Sequence, residues 1–141
     1  MLKNIPKVLS PDLLKVLCEM GHGDEIVIGD GNFPAAANAK RLIRADGISA
    51  CEMLDAILQV FPLDQYDAHH FVLMQKCDGD DADTSIWQTY ETILKTYEPN
   101  ATISFEERFA YYERAKNAYA IIATGEERQY ANILLKKGCV L

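Results

Sequence analysis

A histidine between two glycines is the clearest candidate for chemistry in this sequence. His22 stands in the segment Met20–Asp24, and an aspartate, Asp30, follows eight residues later. Imidazole is the only side chain whose unperturbed pKa lies between about pH 5 and 8, so it can donate and accept a proton near neutrality. The flanking glycines favour exposed backbone over packed core. His22 is therefore a candidate acid–base group; the alternative is a histidine that only stabilises a helix C-terminus through its dipole.

A tyrosine and an asparagine near the C-terminus form a second candidate. Tyr130 and Asn132 lie two residues apart where a strand is expected to begin. Residues i and i+2 of an extended segment point to the same side, so the phenol and the amide could line one pocket. The alternative is a tyrosine that packs at a strand end and an asparagine that turns the chain.

Two further groups invite a functional interpretation. His69 and His70 are adjacent, and adjacent residues on a strand point to opposite faces, so their rings would not share one metal. We interpret them as loop or interface residues. Trp87, Tyr90 and Tyr97 have helical spacing, which favours core or subunit contacts over an aromatic platform for a ligand.

Helical and strand patterns alternate along the chain and must position these residues. Helices are predicted after serine caps at Ser10, Ser49 and Ser104 and over residues 85–97. Strands are predicted over 25–29, 42–45, 71–74, 101–104, 119–124 and 132–136, with a loop over 30–40. The helix from Ser49 is expected to run to residue 61, and the helix from Ser104 to residue 116. This alternation predicts a single α/β domain over residues 1–141, a mixed sheet flanked by helices.

Composition and charge narrow the class of protein. The 141 residues are 49% hydrophobic and 25% charged, and no apolar run approaches the roughly 20 residues of a membrane helix. The N-terminal segment lacks the apolar core of a secretion signal, so the cytoplasm is the expected location. The net charge of −7 argues against a nucleic-acid partner. Four cysteines without a C-x-x-C pair are expected to be buried thiols, and no metal site is predicted.

Four segments in register resemble a known family. Met20–Glu25, Ile43–Gly47, Arg108–Ala115 and Tyr130–Gly138 are similar to the D-ribose pyranase and L-fucose mutarotase family, and more similar to its fucose branch. The resemblance runs from about Leu2 to Gly138. It implies an enzyme that interconverts the anomers of a free monosaccharide without a cofactor.

The implied reaction consists of proton transfers. The sugar ring opens when its ring oxygen gains a proton and the anomeric hydroxyl loses one, and it closes again on the other face. The resemblance assigns the proton donor and acceptor to His22, and Tyr130 could act as a second acid–base group. It also implies a ring-like homo-oligomer, a decamer, with sites built between neighbouring subunits.

The resemblance also implies a set of substrate-binding residues. A carboxylate accepts hydrogen bonds from sugar hydroxyls, and a guanidinium offers a fork of donors. Asp30 could instead cap its loop or orient His22, and Arg108 could instead pair with Glu106 or Glu107. The binding residues are expected to be Asp30, Arg108, Tyr130, Ala131 and Asn132.

Three rival functions stay open at this point. The ribose branch shares the chemistry, but it tends to carry histidine where this chain has Arg108, and Phe33 with Tyr111 could leave room for a methyl group. A non-catalytic sugar-binding protein would use the same pocket without turnover. A plain oligomeric scaffold would bind no sugar at all.

Overall fold

The computed structural model describes residues 1–141 as five helices and six strands. The helices are α1 (Pro11–Glu19), α2 (Ala35–Asn38), α3 (Ala50–Leu58), α4 (Ile86–Tyr97) and α5 (Arg108–Asn117). The strands are β1 (Glu25–Gly29), β2 (Leu42–Ala45), β3 (Phe71–Met74), β4 (Ser104–Glu106), β5 (Ala120–Thr124) and β6 (Ile133–Lys136).

All six strands form one mixed sheet in the order β2-β5-β1-β6-β3-β4. The pairs β1–β5, β2–β5 and β3–β4 are parallel, whereas β6 runs antiparallel to both of its neighbours, β1 and β3. Five strands therefore point in one direction and β6 in the other. The predicted fold class, α/β with a mixed sheet flanked by helices, is confirmed.

Both faces of the sheet are buried, so its central strands are apolar along most of their length. On β1, Ile26 and Ile28 enter the larger hydrophobic cluster, which α1, α3 and α4 cover. Val27 enters the smaller cluster on the opposite face, which α2 and α5 cover. Tyr90 on α4 and Tyr111 on α5 are fully buried in these two clusters. The helix layers do not cover the two ends of the sheet, where the strands meet their loops.

Two of the three predicted serine caps are present. The side chains of Ser10 and Ser49 accept the backbone N–H groups of Leu13 and Glu52. The third prediction, a cap at Ser104, is wrong. Ser104 belongs to β4, and the carboxylate of Glu107 caps α5 instead. Pairing of β4 with β3 extends the chain through residue 106, so the strand predicted over 101–104 begins later and the helix starts after it.

Three other predictions need correction. Residues 30–40 are not wholly a loop, because Ala35–Asn38 form the short helix α2; its three alanines favour helix even where no apolar period is visible. Helix α3 ends at Leu58 rather than at residue 61, since Pro62 disfavours helical backbone at Phe61 and has no N–H to donate to the carbonyl of Leu58. The four cysteines are free thiols, but one is exposed and three are only half-buried.

The helices of this fold serve packing within the domain. Neither the length nor the apolar character of any of them suffices to cross a bilayer. The two ends of the sheet are not covered by these helices.

Candidate active site

A cavity of about 440 Å³ opens at the end of the sheet where β1, β3 and β4 finish and β6 begins. We call this the carboxyl end, and the opposite side the amino end. Pockets of this volume suit small molecules. Polar and aromatic side chains dominate the lining, which consists of Asp30, Asn32, Phe33, Met74, Asp80, Arg108, Tyr112, Gln129, Tyr130 and Asn132.

Four of the five predicted binding residues line this cavity. Asp30 follows β1, Arg108 follows β4, and Tyr130 and Asn132 precede β6, so the sheet topology brings together residues up to 102 positions apart. The fifth, Ala131, is fully buried and its carbonyl accepts the hydroxyl of Tyr90. Its side chain does not reach the cavity.

Asp30 is buried and forms a hydrogen bond with Asn132, the residue that precedes β6. Its backbone N–H donates to Oδ1 of Asn132 at 2.8 Å, and its own Oδ1 accepts the N–H of Asn32 at 3.0 Å. Burial raises the pKa of the Asp30 carboxyl, and hydrogen bonds from backbone amides only partly offset this. The bond to Asn132 leaves the amide Nδ2 of that residue as a donor for a ligand.

Tyr130 has an unusual backbone that α4 holds in place. Its φ of 53° lies in the left-handed region, which costs free energy for any residue other than glycine. The indole Nε1 of Trp87 donates to the carbonyl of Tyr130 at 2.7 Å, and Tyr90 holds the next carbonyl. Trp87 and Tyr90 therefore support the site from the core, in agreement with their interpretation as packing residues.

The phenol of Tyr130 is already engaged within the chain. It donates its O–H to Oδ2 of Asp80 at 2.5 Å and accepts the N–H of Cys77 at 3.3 Å. The hydrogen bond to the Asp80 carboxylate is the main cause that raises the pKa of Tyr130 to about 12. The sequence analysis assigned no role to Asp80, since an Asp-Gly-Asp-Asp run also fits an ordinary acidic turn.

Arg108 is the first residue of α5 and carries an exposed guanidinium. The alternative pairing with Glu106 or Glu107 is not formed: Glu106 binds Arg114 at 2.7 Å, and Glu107 caps the helix. The guanidinium lies over the ring of Phe109, 4.5 Å from its centre. Its donors therefore remain available to a ligand in the cavity.

The apolar part of the lining differs from the prediction at one position. Tyr111, which was expected to shape the pocket with Phe33, is fully buried behind it, with ring centres 6.2 Å apart. The neighbouring Tyr112 lines the cavity instead, 5.7 Å from Phe33. Tyr111 and Tyr112 are adjacent on the helix and point in different directions. Which of them faces the cavity depends on the rotation of α5 against the sheet, and the sequence alone did not predict that rotation.

His22 lies at the amino end, far from the cavity. The N–H of Gly23 donates to the carbonyl of Lys137 at 2.8 Å, which fixes the loop beside the residue that follows β6. Gly23, Asp24 and the five residues of β1 separate His22 from Asp30, and the strand alone spans about 16 Å at the usual rise per residue. The hypothesis that Asp30 orients His22 within one chain is therefore wrong.

Another carboxylate pairs with His22. Its Nε2 lies 3.0 Å from Oδ1 of Asp64, whose side chain is 3% exposed, whereas the His22 side chain is 48% exposed. The Tyr66 ring lies 5.6 Å from the imidazole. Sequence analysis missed Asp64 because it stands 42 residues away in a loop without a motif. The only feature of the sequence that could have indicated Asp64 is that a carboxylate precedes the buried strand β3.

The two adjacent histidines lie in the loop that precedes β3, also at the amino end. His70 is buried, and its Nδ1 lies 2.6 Å from the carbonyl of Asp67. His69 is exposed, and its carbonyl accepts a hydrogen bond from Arg114. Neither ring lines the cavity.

A family model described as the RbsD / FucU transport protein family matches residues 3–140. The chain belongs to the RbsD / FucU family. The resemblance inferred from the four segments is thereby confirmed.

Solved structures of the RbsD / FucU family are similar over the full chain. FucU from Bifidobacterium longum is 52% identical, with a TM-score of 0.96, over 99% of this chain and 100% of that one. The fucose mutarotase from Streptococcus pneumoniae, solved in complex with L-fucose, is 51% identical with a TM-score of 0.95 and the same coverage. RbsD from Bacillus subtilis, complexed with D-ribose, is 21% identical over 100% of both chains with a TM-score of 0.75, a likeness of fold alone.

Proposed function

We propose that this protein is a sugar mutarotase that interconverts the α and β anomers of L-fucose or a closely related pyranose. One observation carries the proposal: 51% identity over 99% of the chain to a fucose mutarotase that binds L-fucose. The cavity at the carboxyl end supports it, because that cavity has the size and the polar lining that a monosaccharide needs. The reaction breaks and forms only C–O and O–H bonds, so proton transfer suffices and no cofactor is needed.

The binding groups that we propose complement a ring of hydroxyls. The carboxylate of Asp30 accepts hydrogen bonds, and the free amide Nδ2 of Asn132 and the guanidinium of Arg108 donate them. Tyr130 contributes its phenol oxygen, and Ala131 contributes through its backbone, whose N–H supports the Asp30 carboxylate. Phe33, Met74 and Tyr112 supply the apolar lining that a methyl group of a deoxy sugar would contact.

The proton group that we propose is His22. Asp64 holds one ring nitrogen, Nε2, and so the other nitrogen, Nδ1, is free to exchange a proton with a ligand. Because His22 and the cavity lie at opposite ends of one chain, the histidine would serve the cavity of a neighbouring copy. The proposal therefore includes a ring-like homo-oligomer, a decamer as in the family resemblance. Exposure of the His22 side chain and of Tyr66, at 48% and 74%, supports such a contact.

Saturation-transfer NMR on the anomeric protons of L-fucose, with D-ribose in parallel, tests the proposal. Faster exchange for fucose alone supports an L-fucose mutarotase. Faster exchange for ribose alone would make the protein a D-ribose pyranase. Binding of either sugar without faster exchange would indicate a non-catalytic sugar-binding protein.

Two further parts of the proposal need their own measurements. Light scattering coupled to size-exclusion chromatography measures the number of subunits, and a monomer would contradict the shared site. The cytoplasmic location predicted from the N-terminal sequence stays a prediction, which fractionation of cells that express the chain would test.

A further inference from the structure

An acidic turn after β3 reaches the cavity. Gly79 has a φ of 78°, and the N–H of Asp80 donates to the carbonyl of Cys77 at 3.1 Å. Oδ1 of Asp80 accepts the N–H of Ala82 at 2.9 Å, so this oxygen is used within the turn. The turn thereby presents the second carboxylate oxygen, Oδ2, to Tyr130.

The contact determines how Tyr130 meets a ligand. A phenol has one proton to donate and can accept two hydrogen bonds. The proton of Tyr130 is directed to Asp80 at 2.5 Å, and the N–H of Cys77 occupies one acceptor position. One lone pair remains, on the oxygen of a residue that lines the cavity. Tyr130 therefore meets the cavity as an acceptor and not as a donor.

We propose that Asp80 is a positioning residue that acts through Tyr130: it holds the phenolic proton away from the cavity and receives it when the phenol oxygen takes a proton from the sugar. This inference rests on the proposed mutarotase function and names a second proton route for it. It assigns Asp80, for which the sequence predicted no role, to the same site.

The proton balance of the step is complete. When the ring opens, the anomeric hydroxyl gives its proton to the oxygen of Tyr130, and the phenol proton moves to Oδ2 of Asp80. The C–O bond between the anomeric carbon and the ring oxygen breaks, and protonated His22 of the neighbouring copy gives a proton to that ring oxygen. Ring closure on the other face reverses each transfer, so every group returns to its starting state.

This route is consistent with the protonation states of both groups. A tyrosine with a pKa of about 12 is neither ionised nor a strong base at neutral pH, so it acts more readily as a relay than as a final acceptor. The hydrogen bonds from Tyr130 and Ala82 hold the pKa of Asp80 below its usual range, so the carboxylate is ionised and keeps its lone pair on the phenolic proton. The left-handed backbone of Tyr130, held by Trp87, keeps the phenol in place.

The variant Asp80→Asn isolates the proposed role from a structural one. An asparagine keeps an oxygen for the N–H of Ala82, but it can turn an NH₂ donor toward the oxygen of Tyr130. The phenol would then lose its acceptor and redirect its proton. Asp81→Asn is the matched control, because it removes the same charge one residue away, from an exposed side chain that forms no hydrogen bond with Tyr130.

The first readout is the ionisation of the phenol itself. NMR of ¹³Cζ-labelled tyrosine follows the seven tyrosines, and Tyr130→Phe assigns the signal of interest. In the wild type and in Asp81→Asn, we expect the phenol of Tyr130 to stay protonated up to about pH 11. In Asp80→Asn, we expect the same phenol to titrate near pH ~10, the ordinary value of a tyrosine. The same titration in all three proteins would overturn the proposal.

The second readout is anomer exchange in a double-mutant cycle. We expect Asp80→Asn to slow L-fucose exchange about 10²-fold, and Asp80→Glu to restore part of it. In the Tyr130→Phe background, Asp80→Asn should change the rate by less than about twofold, because its effect passes through the phenol. A full loss that persists in that background would overturn the proposal.

The two readouts also separate this inference from the proposed function. A wild-type protein that exchanges no sugar would refute the mutarotase function and, with it, the proton-transfer part of the inference. The tyrosine titration would then still decide whether Asp80 orients the phenol.

Discussion

The Nε2 atom of His22 lies 3.0 Å from Oδ1 of Asp64, an exposed ring held by a buried carboxylate. Burial opposes ionisation of Asp64, but hydrogen bonds from His22 and from the N–H of Tyr66 outweigh it and hold the pKa of the carboxyl below its usual range. An ionised carboxylate fixes the tautomer and the orientation of an imidazole, and it stabilises the positive charge that the ring gains during proton transfer. Asp64 is thus well placed to support the proposed role of His22.

Replacing Asp64 with asparagine should slow anomer exchange strongly. Asp64→Asn keeps a neutral acceptor but removes the charge opposite His22, and we expect a loss of about 10²-fold in exchange. Ring ¹⁵N NMR should show a defined proton on Nε2 in the wild type and a mixture of tautomers in the variant. Asp67→Asn, in the same loop but bonded to Lys136, is the control and should leave exchange unchanged. An active Asp64→Asn protein would remove the pair from the mechanism.

Two inactive variants should complement each other if sites are shared between copies. His22→Ala has an intact cavity, and Arg108→Ala has an intact histidine, so each alone should lack exchange. Refolded together, they form some sites with the cavity of one variant and the histidine of the other. Random mixing should restore about a quarter of the wild-type rate. No recovery, with mixed oligomers confirmed by mass spectrometry, would mean that His22 does not serve a neighbouring cavity.

Arg108 tests the choice of sugar. The residue is exposed and forms no ion pair, so Arg108→His should fold as well as the wild type. We expect slower exchange of L-fucose and a preference shifted toward D-ribose, because an imidazole offers a shorter reach and fewer donors than a guanidinium. Exchange rates for both sugars, with melting temperatures as the folding control, measure this. Loss of both activities would show that the arginine is required but does not discriminate.

The ion pair between Asp67 and Lys136 should make stability depend on pH. Their charged atoms lie 2.6 Å apart, and the hydrogen bond from Lys136 lowers the pKa of Asp67 to about 2. Since the folded pKa lies below the unfolded value of about 3.8, the stabilisation is complete above that value and disappears as the pH falls toward 2. Asp67→Asn should lower the melting temperature by about 2–4 °C at pH 7.

Melting temperatures measured at acid pH are the control for this prediction. The melting temperatures of wild type and Asp67→Asn should converge between about pH 4 and pH 2, because protonated Asp67 no longer pairs with Lys136. A difference that stays constant over this range would assign the effect to packing rather than to charge.

Local patterns predicted those elements whose signal is contained in a few residues. The strands at 25–29, 42–45 and 71–74 were predicted from short local runs, and their predicted ends match the structure. The cap at Ser104 failed because pairing with β3, a contact between distant segments, extends the chain there. The local preference of residues for strand or helix does not reveal such a contact, and pairing between strands overrides that preference.

The residues of the candidate site likewise fall into those that the sequence predicted and those that it did not. The family motifs contain Arg108, Tyr130 and Asn132, and the resemblance also implied Asp30, so these residues were found, and the topology brings them to one cavity. Asp64 and Asp80 were missed, because their partners lie 42 and 50 residues away and neither belongs to a motif. The separation of His22 from Asp30 depends on the direction of β1 through the sheet, which no local pattern reveals.

The reversed strand β6 constrains how this protein can evolve. Asn132 at its start binds Asp30, and Lys137 at its finish holds Gly23 beside His22. Its register is locked, since a side-chain carbon at Gly138 would lie 2.3 Å from the carbonyl of Leu63. An insertion or deletion within β6 would therefore disturb both ends of the sheet at once. Changes in chain length can accumulate in the surface loops, whereas the nine residues from Tyr130 to Gly138 can diverge only by substitution.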